Sequence, residues 1–159
     1  KLDQNKYLKL TSSTTAAIKA ISMWIYPTSG TAEQMLWYVS EDRELYSSFG
    51  SNYYFSFPRS CIRTNIPAPQ INQWHSIIVN LTGNKFQLFV DGNATVEVAC
   101  SSSVSLNNEI YYIGSKGGYG YYFRGKMDDY KIFSRSLTAQ EIEELLKFQQ
   151  GKRQKRKIQ

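Results

Sequence analysis

The chain has 159 residues, of which 42% are hydrophobic and 14% aromatic, enough for one domain with a sizeable core. No apolar run approaches the roughly 18–20 residues that a membrane-spanning helix needs. The formal net charge is +6, but five of the 19 Lys and Arg residues lie in 152–159. The rest of the chain is nearly neutral, so a nucleic-acid-binding surface on the domain is not expected.

The first half of the chain is predicted to form short strands separated by turns. In the second of these, Ile21, Met23 and Ile25 recur with period two and should share one face. Prolines at 58, 67 and 69 predict a crossing loop over 58–73 instead of a ladder strand. The predicted strands of this half lie at 7–10, 18–25, 35–39, 44–49 and 53–57.

The second half begins with a predicted hairpin whose sequence is WHSIIVNLTGNKFQLFVDG. Ile77, Val79 and Leu81 alternate with their neighbours, the pattern of a half-buried strand. Gly83 lies in the turn, and Asp91-Gly92 is a strong signal for a second turn. The predicted strands of this half lie at 74–81, 85–91, 95–100, 110–114 and 126–133.

A short helix over 138–150 is predicted to follow the last strand. Thr138 and Glu141 have the spacing of a capping box, in which each residue bonds the backbone of the other. An apolar stripe behind the cap should dock the helix on the sheets, with Phe148 extending the contact. The stripe consists of Ile142, Leu145 and Leu146.

Three of these stretches resemble a known superfamily. AISMWIYP, at 20–27, is similar to its early Thr-hydrophobic-Ser-hydrophobic-Trp signature, with Ala20 in place of Thr. The tryptophan-led hairpin ends in VDG, and FRGKMDDYKIFSRSLTAQEIEELL follows downstream. Together they resemble the laminin-G-like, concanavalin-A-like lectin/glucanase jelly-roll superfamily. The resemblance implies an all-β, two-sheet antiparallel jelly-roll sandwich with a short C-terminal helix over 1–150, before a basic tail at 151–159.

Glucanases of that superfamily carry their catalytic carboxylates on one strand as Glu-x-Asp-x-x-Glu, a spacing suited to retaining chemistry. This chain contains no such string, so we expect no enzymatic activity. His75 is the only histidine, which assures neither a His-rich zinc site nor a Ser-His-Asp triad. We interpret His75 as a surface or edge residue.

Calcium is the candidate cofactor, since many relatives of this type bind it. The resemblance implies Asp128 as a candidate metal ligand, because it follows Gly125 in the family's string. The alternative is a structural role at a β-bulge. Met127, Tyr130 and Ile132 cannot share one face under strict alternation, so a bulge is predicted near Asp128.

Cysteines and glycosylation sequons indicate the secretory pathway. Cys61 and Cys100 are predicted to form a disulfide, with two free thiols as the alternative. Asn80 and Asn93 each begin an Asn-x-Thr sequon beside a predicted turn, and both are predicted to carry N-linked glycan. Asn80 should face solvent if its neighbours face the core. We therefore expect an extracellular or cell-surface location for a chain processed from, or excised from, a larger precursor.

Tyrosine is abundant, with 12 residues, and several lie in turns. Tyr119, Tyr121 and Tyr122 lie in a glycine-rich loop, and Tyr53 lies beside another turn; all four are candidate ligand-binding residues. The alternative is that these rings pack over a sheet edge. The chain is predicted to be a non-enzymatic extracellular module that binds glycan or glycoprotein, lectin-like or adhesive. The alternative is a glycosylated structural subunit that self-assembles in a surface or filamentous assembly.

Overall fold

A computed structural model of the protein describes residues 6–11, 18–30, 33–38, 45–49, 53–56, 64–66, 69–100 and 110–157. These residues form eleven strands and one helix. The elements in chain order are β1 (Leu8–Thr11), β2 (Ala20–Pro27), β3 (Glu33–Tyr38), β4 (Leu45–Phe49), β5 (Tyr53–Ser56), β6 (Thr64–Ile66), β7 (His75–Thr82), β8 (Lys85–Val90), β9 (Asn93–Ala99), β10 (Ile110–Ile113), β11 (Gly125–Phe133) and α1 (Ala139–Lys157).

The strands form two antiparallel sheets, as the sequence predicts. One sheet has six strands in the order β1-β10-β3-β4-β5-β6, and the other has five in the order β11-β2-β7-β8-β9. Every pairing between neighbouring strands is antiparallel. The all-β sandwich with a C-terminal helix is therefore confirmed.

The main core lies between the two sheets. Apolar side chains at alternate positions of β2 and β7 are fully buried there, which confirms the predicted period-two faces. Trp37 and Tyr111 stack at 6.2 Å between ring centroids on the opposing sheet. The inward residues of β2 and β7 are Ile21, Met23, Ile25, Ile77, Val79 and Leu81.

The outer face of the five-stranded sheet is covered by α1. Ile142 and Leu146 of the helix are buried against Ile78 and Ala20 of the sheet, and Leu145 is half-buried beside them. The central strands of this sheet are therefore buried on both faces. The predicted docking of the helix is confirmed, but Phe148 is 57% exposed and lies outside the buried cluster, with Lys131 Nζ of β11 5.5 Å from its ring centroid.

The helix begins as predicted and ends later than predicted. The Glu141 amide donates to Thr138 Oγ1 at 3.2 Å, and the Thr138 amide donates to Glu141 Oε2 at 2.9 Å, which is the capping box. The helix then continues through Gly151 to Lys157. A glycine costs a helix only about 1 kcal/mol relative to alanine, and Lys, Arg and Gln are good helix formers.

The division between a domain at 1–150 and a tail at 151–159 stays a prediction. No helix in the described ranges is long and apolar enough to cross a membrane.

One strand was not expected from the sequence. β6 pairs with β5 inside the stretch predicted to be a crossing loop. The strand occupies three residues between Pro58 and Pro67 at the edge of its sheet, a position where a ladder tolerates flanking prolines. The prediction that 58–73 lacks a strand is therefore wrong.

Backbone geometry confirms the predicted turn and the predicted bulge. Asp91 and Gly92 have φ values of 53° and 85°, as a two-residue hairpin turn with positive φ at both positions requires. The register between β11 and β2 shifts between Asp128 and Lys131. Asp129 has φ 50° there, and its amide donates to Asp128 Oδ1 at 2.8 Å. The side chain of Asp128 thus supports the bulge.

Candidate functional site

A row of aromatic side chains crosses the outer face of the six-stranded sheet. Tyr112 of β10 pairs with Lys9 on one side and with Tyr38 on the other. Because the adjacent Trp37 and Ile113 face the core, this row faces outward. The Tyr38 and Tyr112 ring centroids are 6.3 Å apart, and Lys9 Nζ lies 5.9 Å from the Tyr112 centroid.

Tyr7, which precedes β1, and the loop between β10 and β11 add further rings to this row. Tyr7 lies 6.1 Å from Tyr112 and 6.5 Å from Tyr122, centroid to centroid. We call the combined feature the tyrosine surface. It consists of Tyr7, Tyr38, Tyr112, Tyr119, Tyr121 and Tyr122 with Lys9 and Lys116.

Two glycines let the backbone of this loop approach the rings. A Cβ on Gly117 would lie 2.6 Å from Tyr119 Cε1, and one on Gly118 would lie 2.8 Å from Tyr7 Cζ. Their φ values are 64° and 86°, a region that favours glycine. The Tyr119 ring therefore packs against Gly117, and the Tyr7 ring packs against Gly118.

Hydrogen bonds within the loop hold it in one shape. They run from the backbone amides of Lys116, Gly118, Tyr119 and Phe123 to Gly120 O (2.9 Å), Ser115 Oγ (3.0 Å), Lys116 O (3.3 Å) and Gly114 O (3.0 Å). Ser115 is fully buried beneath the loop. A loop of this kind presents its rings with little conformational entropy left to lose on binding.

The buried Gln34 side chain ties the loop to the rest of the sheet. Its Nε2 donates to Ser29 O at 3.0 Å, and its Oε1 accepts from the Arg124 amide at 2.6 Å. The next amide along, Met35, donates to Tyr121 O at 2.8 Å. The role of Gln34 was not predicted from the sequence, where the residue lies just before the strand predicted over 35–39.

Tyr119 and Tyr121 are the most exposed rings of the surface, at 77% and 48% exposure, and Tyr7 is 40% exposed. Tyr121 has φ 50°, which is uncommon for an aromatic residue and which its bond to Met35 helps to maintain. Lys116 Nζ lies 5.5 Å from the Tyr121 centroid and 5.8 Å from that of Tyr38. A cation therefore lies beside an exposed ring and a buried one.

The other predicted contact residues have different positions. Tyr122 is half-buried, and its hydroxyl donates to Gly118 O at 2.8 Å, so it supports the loop as well as lining the surface. Tyr53 belongs to β5, and its side chain lies outside the described residues, so its role stays a prediction. The sequence reasoning missed Tyr7, Tyr38 and Tyr112, although alternate aromatics in predicted strands are a signal for them.

The glycosylation sequons have opposite environments. Asn80 is only 2% exposed, because α1 and the segment before it cover that face of β7. Its Nδ2 donates to Leu137 O at 3.0 Å and to Gln87 Oε1 at 3.1 Å, and its Oδ1 accepts from the Leu137 amide at 2.8 Å. The expectation that Asn80 faces solvent is wrong, and its amide is not available to a glycan in this fold. Asn93 is exposed.

The structure describes only one of the two cysteines of the predicted disulfide. Cys100 is 3% exposed, and no cysteine in the described part of the chain is a free thiol. Cys61 lies outside the described residues, so its pairing with Cys100 stays a prediction.

Asp128 lies at the bulge between β11 and β2. The described ranges contain no group of three or more His, Cys, Asp or Glu side chains that could hold a metal ion. One oxygen of Asp128 accepts the Asp129 amide. The bulge role accounts for the position of Asp128, and its role as a calcium ligand stays a prediction.

His75 is buried, at 7% exposure, which contradicts its interpretation as a surface residue. Its Nδ1 lies 2.7 Å from Asp91 Oδ2, and its Nε2 lies 2.8 Å from Gln70 O. Since both partners are acceptors, both ring nitrogens donate when the ring is protonated. The bond to Asp91 raises the pKa of His75, burial opposes the rise, and the Gln70 carbonyl adds to it. The hairpin turn and the 70–73 loop are thereby joined.

The contribution of His75 to the free energy of unfolding is expected to depend on pH. Because its folded-state pKa lies above the ordinary value of 6.5, its contribution is present in full below that pH. The contribution is lost as the pH rises through the folded-state pKa. The free energy of unfolding of the native chain, minus that of a His75→Gln variant, should therefore fall between pH 6 and pH 9 in urea titrations. A difference that stays constant over this range would contradict the assignment.

Comparisons with known proteins agree with this architecture. The family model described as "Concanavalin A-like lectin/glucanases superfamily", of the laminin-G type, matches residues 2–143. No curated protein matches the sequence.

Several solved structures have a similar fold. The CBM40 module of the Ruminococcus gnavus IT-sialidase, bound to α2,3-sialyllactose, is 14% identical, with a TM-score of 0.70 over 89% of this chain and 92% of that chain. A heptameric SAP-like pentraxin from Limulus polyphemus is 13% identical, with a TM-score of 0.65 over 88% of this chain and 74% of that one.

Domain 4 of AbnA, a GH43 extracellular arabinanase from Geobacillus stearothermophilus, was solved with arabinotriose. It is 15% identical, with a TM-score of 0.61 over 91% of this chain and 68% of that one. At these identities the likeness shows the fold alone.

Proposed function

Because the chain belongs to the concanavalin A-like lectin/glucanases superfamily, we propose that it is a non-catalytic module that binds glycans through the tyrosine surface. The observation that carries the proposal is the pair of exposed rings, Tyr119 and Tyr121, on a loop that glycines and hydrogen bonds hold in shape. Rings of this kind stack on the apolar faces of sugars, and their hydroxyls bond to sugar hydroxyls.

The similar structures support a sugar as the ligand. Two of them were solved with oligosaccharides, one a sialyllactose and the other an arabinotriose. The chain also lacks the paired-carboxylate string of the glucanases, and this supports binding without hydrolysis.

Alanine substitutions of the two exposed tyrosines test this function. A Tyr119→Ala, Tyr121→Ala double variant should lose at least about tenfold in affinity for the best ligand on a glycan array, since central aromatic contacts commonly contribute 2 kcal/mol or more. Its melting temperature should change little, because both rings are exposed. Phe148→Ala is a matched control, since it removes an exposed ring on the helix.

Two results would contradict the proposal. If the double variant melts well below the native chain and binds equally well per folded molecule, the rings serve packing and the binding surface lies elsewhere. If the native chain binds no glycan on a broad array, the assignment to glycan binding fails.

An extracellular location is part of the proposal, and the exposed sequon at Asn93 supports it. Expressed through a secretory pathway, the chain should carry a single N-linked glycan, at Asn93 and not at Asn80. Intact mass before and after glycosidase treatment measures this, with Asn93→Gln as the unglycosylated control. A chain without any mass loss would argue against the secretory assignment.

A further inference from the structure

Cations lie on both sides of the sandwich, but none of the carboxylates that the structure describes lies on the tyrosine surface. Among side chains that the structure describes, each carboxylate belongs to the five-stranded sheet, its β8–β9 turn or the helix. These acidic residues are Asp91, Glu97, Asp128, Asp129, Glu141, Glu143 and Glu144. The tyrosine surface carries Lys9 and Lys116 instead, and Lys6 and Arg124 adjoin it along the chain.

The two lysines of the surface stand next to rings that a sugar would contact. Lys116 Nζ is 5.5 Å from the centroid of the exposed Tyr121, and Lys9 Nζ is 5.9 Å from that of Tyr112. Lys9 is exposed, and its position is fixed by the pairing of β1 with β10. A ligand stacked on these rings would therefore have an ammonium group at each of two places along its edge.

We propose that the tyrosine surface takes acidic glycans, whose sugars carry a carboxylate or a sulfate. An ammonium beside a stacking ring binds an anionic substituent by a charge-assisted hydrogen bond, while the ring holds the sugar face. The proposal rests on glycan binding at this surface and adds the class of sugar.

Matched pairs of glycans test the class of ligand. One oligosaccharide core is immobilised in three forms: neutral, extended with a sialic or uronic acid, and carrying a sulfate ester. The chain should bind one of the two acidic forms more tightly than the neutral core. That binding should weaken as sodium chloride rises from 50 to 300 mM. The carboxylate and sulfate members distinguish the two sources of charge. Equal or stronger binding of the neutral core would overturn this inference and leave glycan binding intact, whereas no binding to any member would remove both.

Lysine-to-glutamine variants then identify which side chains cause the preference for acidic glycans. Lys116→Gln and Lys9→Gln should each lower affinity for the acidic glycan by roughly fivefold, the scale of one solvent-exposed charge pair, and should lower affinity for the neutral core by a smaller factor. Lys126→Gln is the control, because that ammonium lies over the Tyr26 ring on the five-stranded sheet. An acidic preference retained by the Lys9→Gln, Lys116→Gln double variant would mean that other cations, such as Lys6, Arg124 or those at 152–157, cause it, and would overturn the proposal.

Discussion

Replacing Gly125 with alanine is expected to destabilise the fold by about 3–5 kcal/mol and to lower the melting temperature by roughly 10 °C. A Cβ at this position would lie 2.1 Å from Tyr26 O, a backbone atom of the neighbouring strand β2. Gly125 also has φ 155°, which other residues rarely adopt. Because the clash is with backbone and not with a flexible side chain, β11 and β2 would have to separate where they pair.

Gly120→Ala is the matched control for this substitution. Gly120 lies in the loop before β11, a Cβ there has nothing within 4 Å, and its φ is not positive. Its alanine variant should melt within a few degrees of the native chain. Thermal unfolding followed by circular dichroism compares the two. Equal melting temperatures for both variants would show that β11 does not approach Tyr26 as described.

All the strands except β6, and the terminal helix, were predictable because their signals are local. Alternation in β7 identifies Ile77, Val79 and Leu81 as one face whatever lies elsewhere in the chain. The Asp91-Gly92 turn and the capping box of Thr138 and Glu141 each depend only on residues within three positions of one another. Tertiary packing did not override these signals.

The errors concern what covers each face. Alternation correctly placed Asn80 opposite Val79 and Leu81, but it carries no information that α1 and Leu137 cover that side. The same holds for His75, whose partner Asp91 lies 16 residues along the chain. A polar residue in a strand of a sheet covered on both faces is buried, and most such side chains in proteins are hydrogen-bonded, as Asn80 and His75 are here.

Only the loop residues of the candidate site could be predicted from the sequence. Tyr119 and Tyr121 stand out because glycines surround them in the sequence. Tyr112 and Tyr38 come together through the pairing of β10 with β3, strands more than 70 residues apart in the chain. Register between such distant strands cannot be read from a single sequence, so the row they form with Lys9 emerges only from the fold.

The second large effect is expected at the contact between α1 and the five-stranded sheet. Leu146→Ala should cost about 2–5 kcal/mol, the usual range for removing a buried leucine side chain. Leu146 is 8% exposed within the cluster around Ile78. Its Cδ1 lies over the β8–β9 turn, 2.9 Å from where a Cβ of Gly92 would be. The truncation therefore leaves a cavity between helix, sheet and turn.

Phe148→Ala removes a larger side chain from the same helix and should cost much less, because that ring is 57% exposed. Urea unfolding of the two variants compares the free energies directly. Glycan binding per folded molecule should be unchanged in both, since α1 and the tyrosine surface lie on opposite sides of the sandwich. A Leu146→Ala variant as stable as the native chain would mean that the helix is not held by this cluster. Loss of binding by folded Leu146→Ala protein would instead mean that the shape of the binding loop depends on the helix across both sheets.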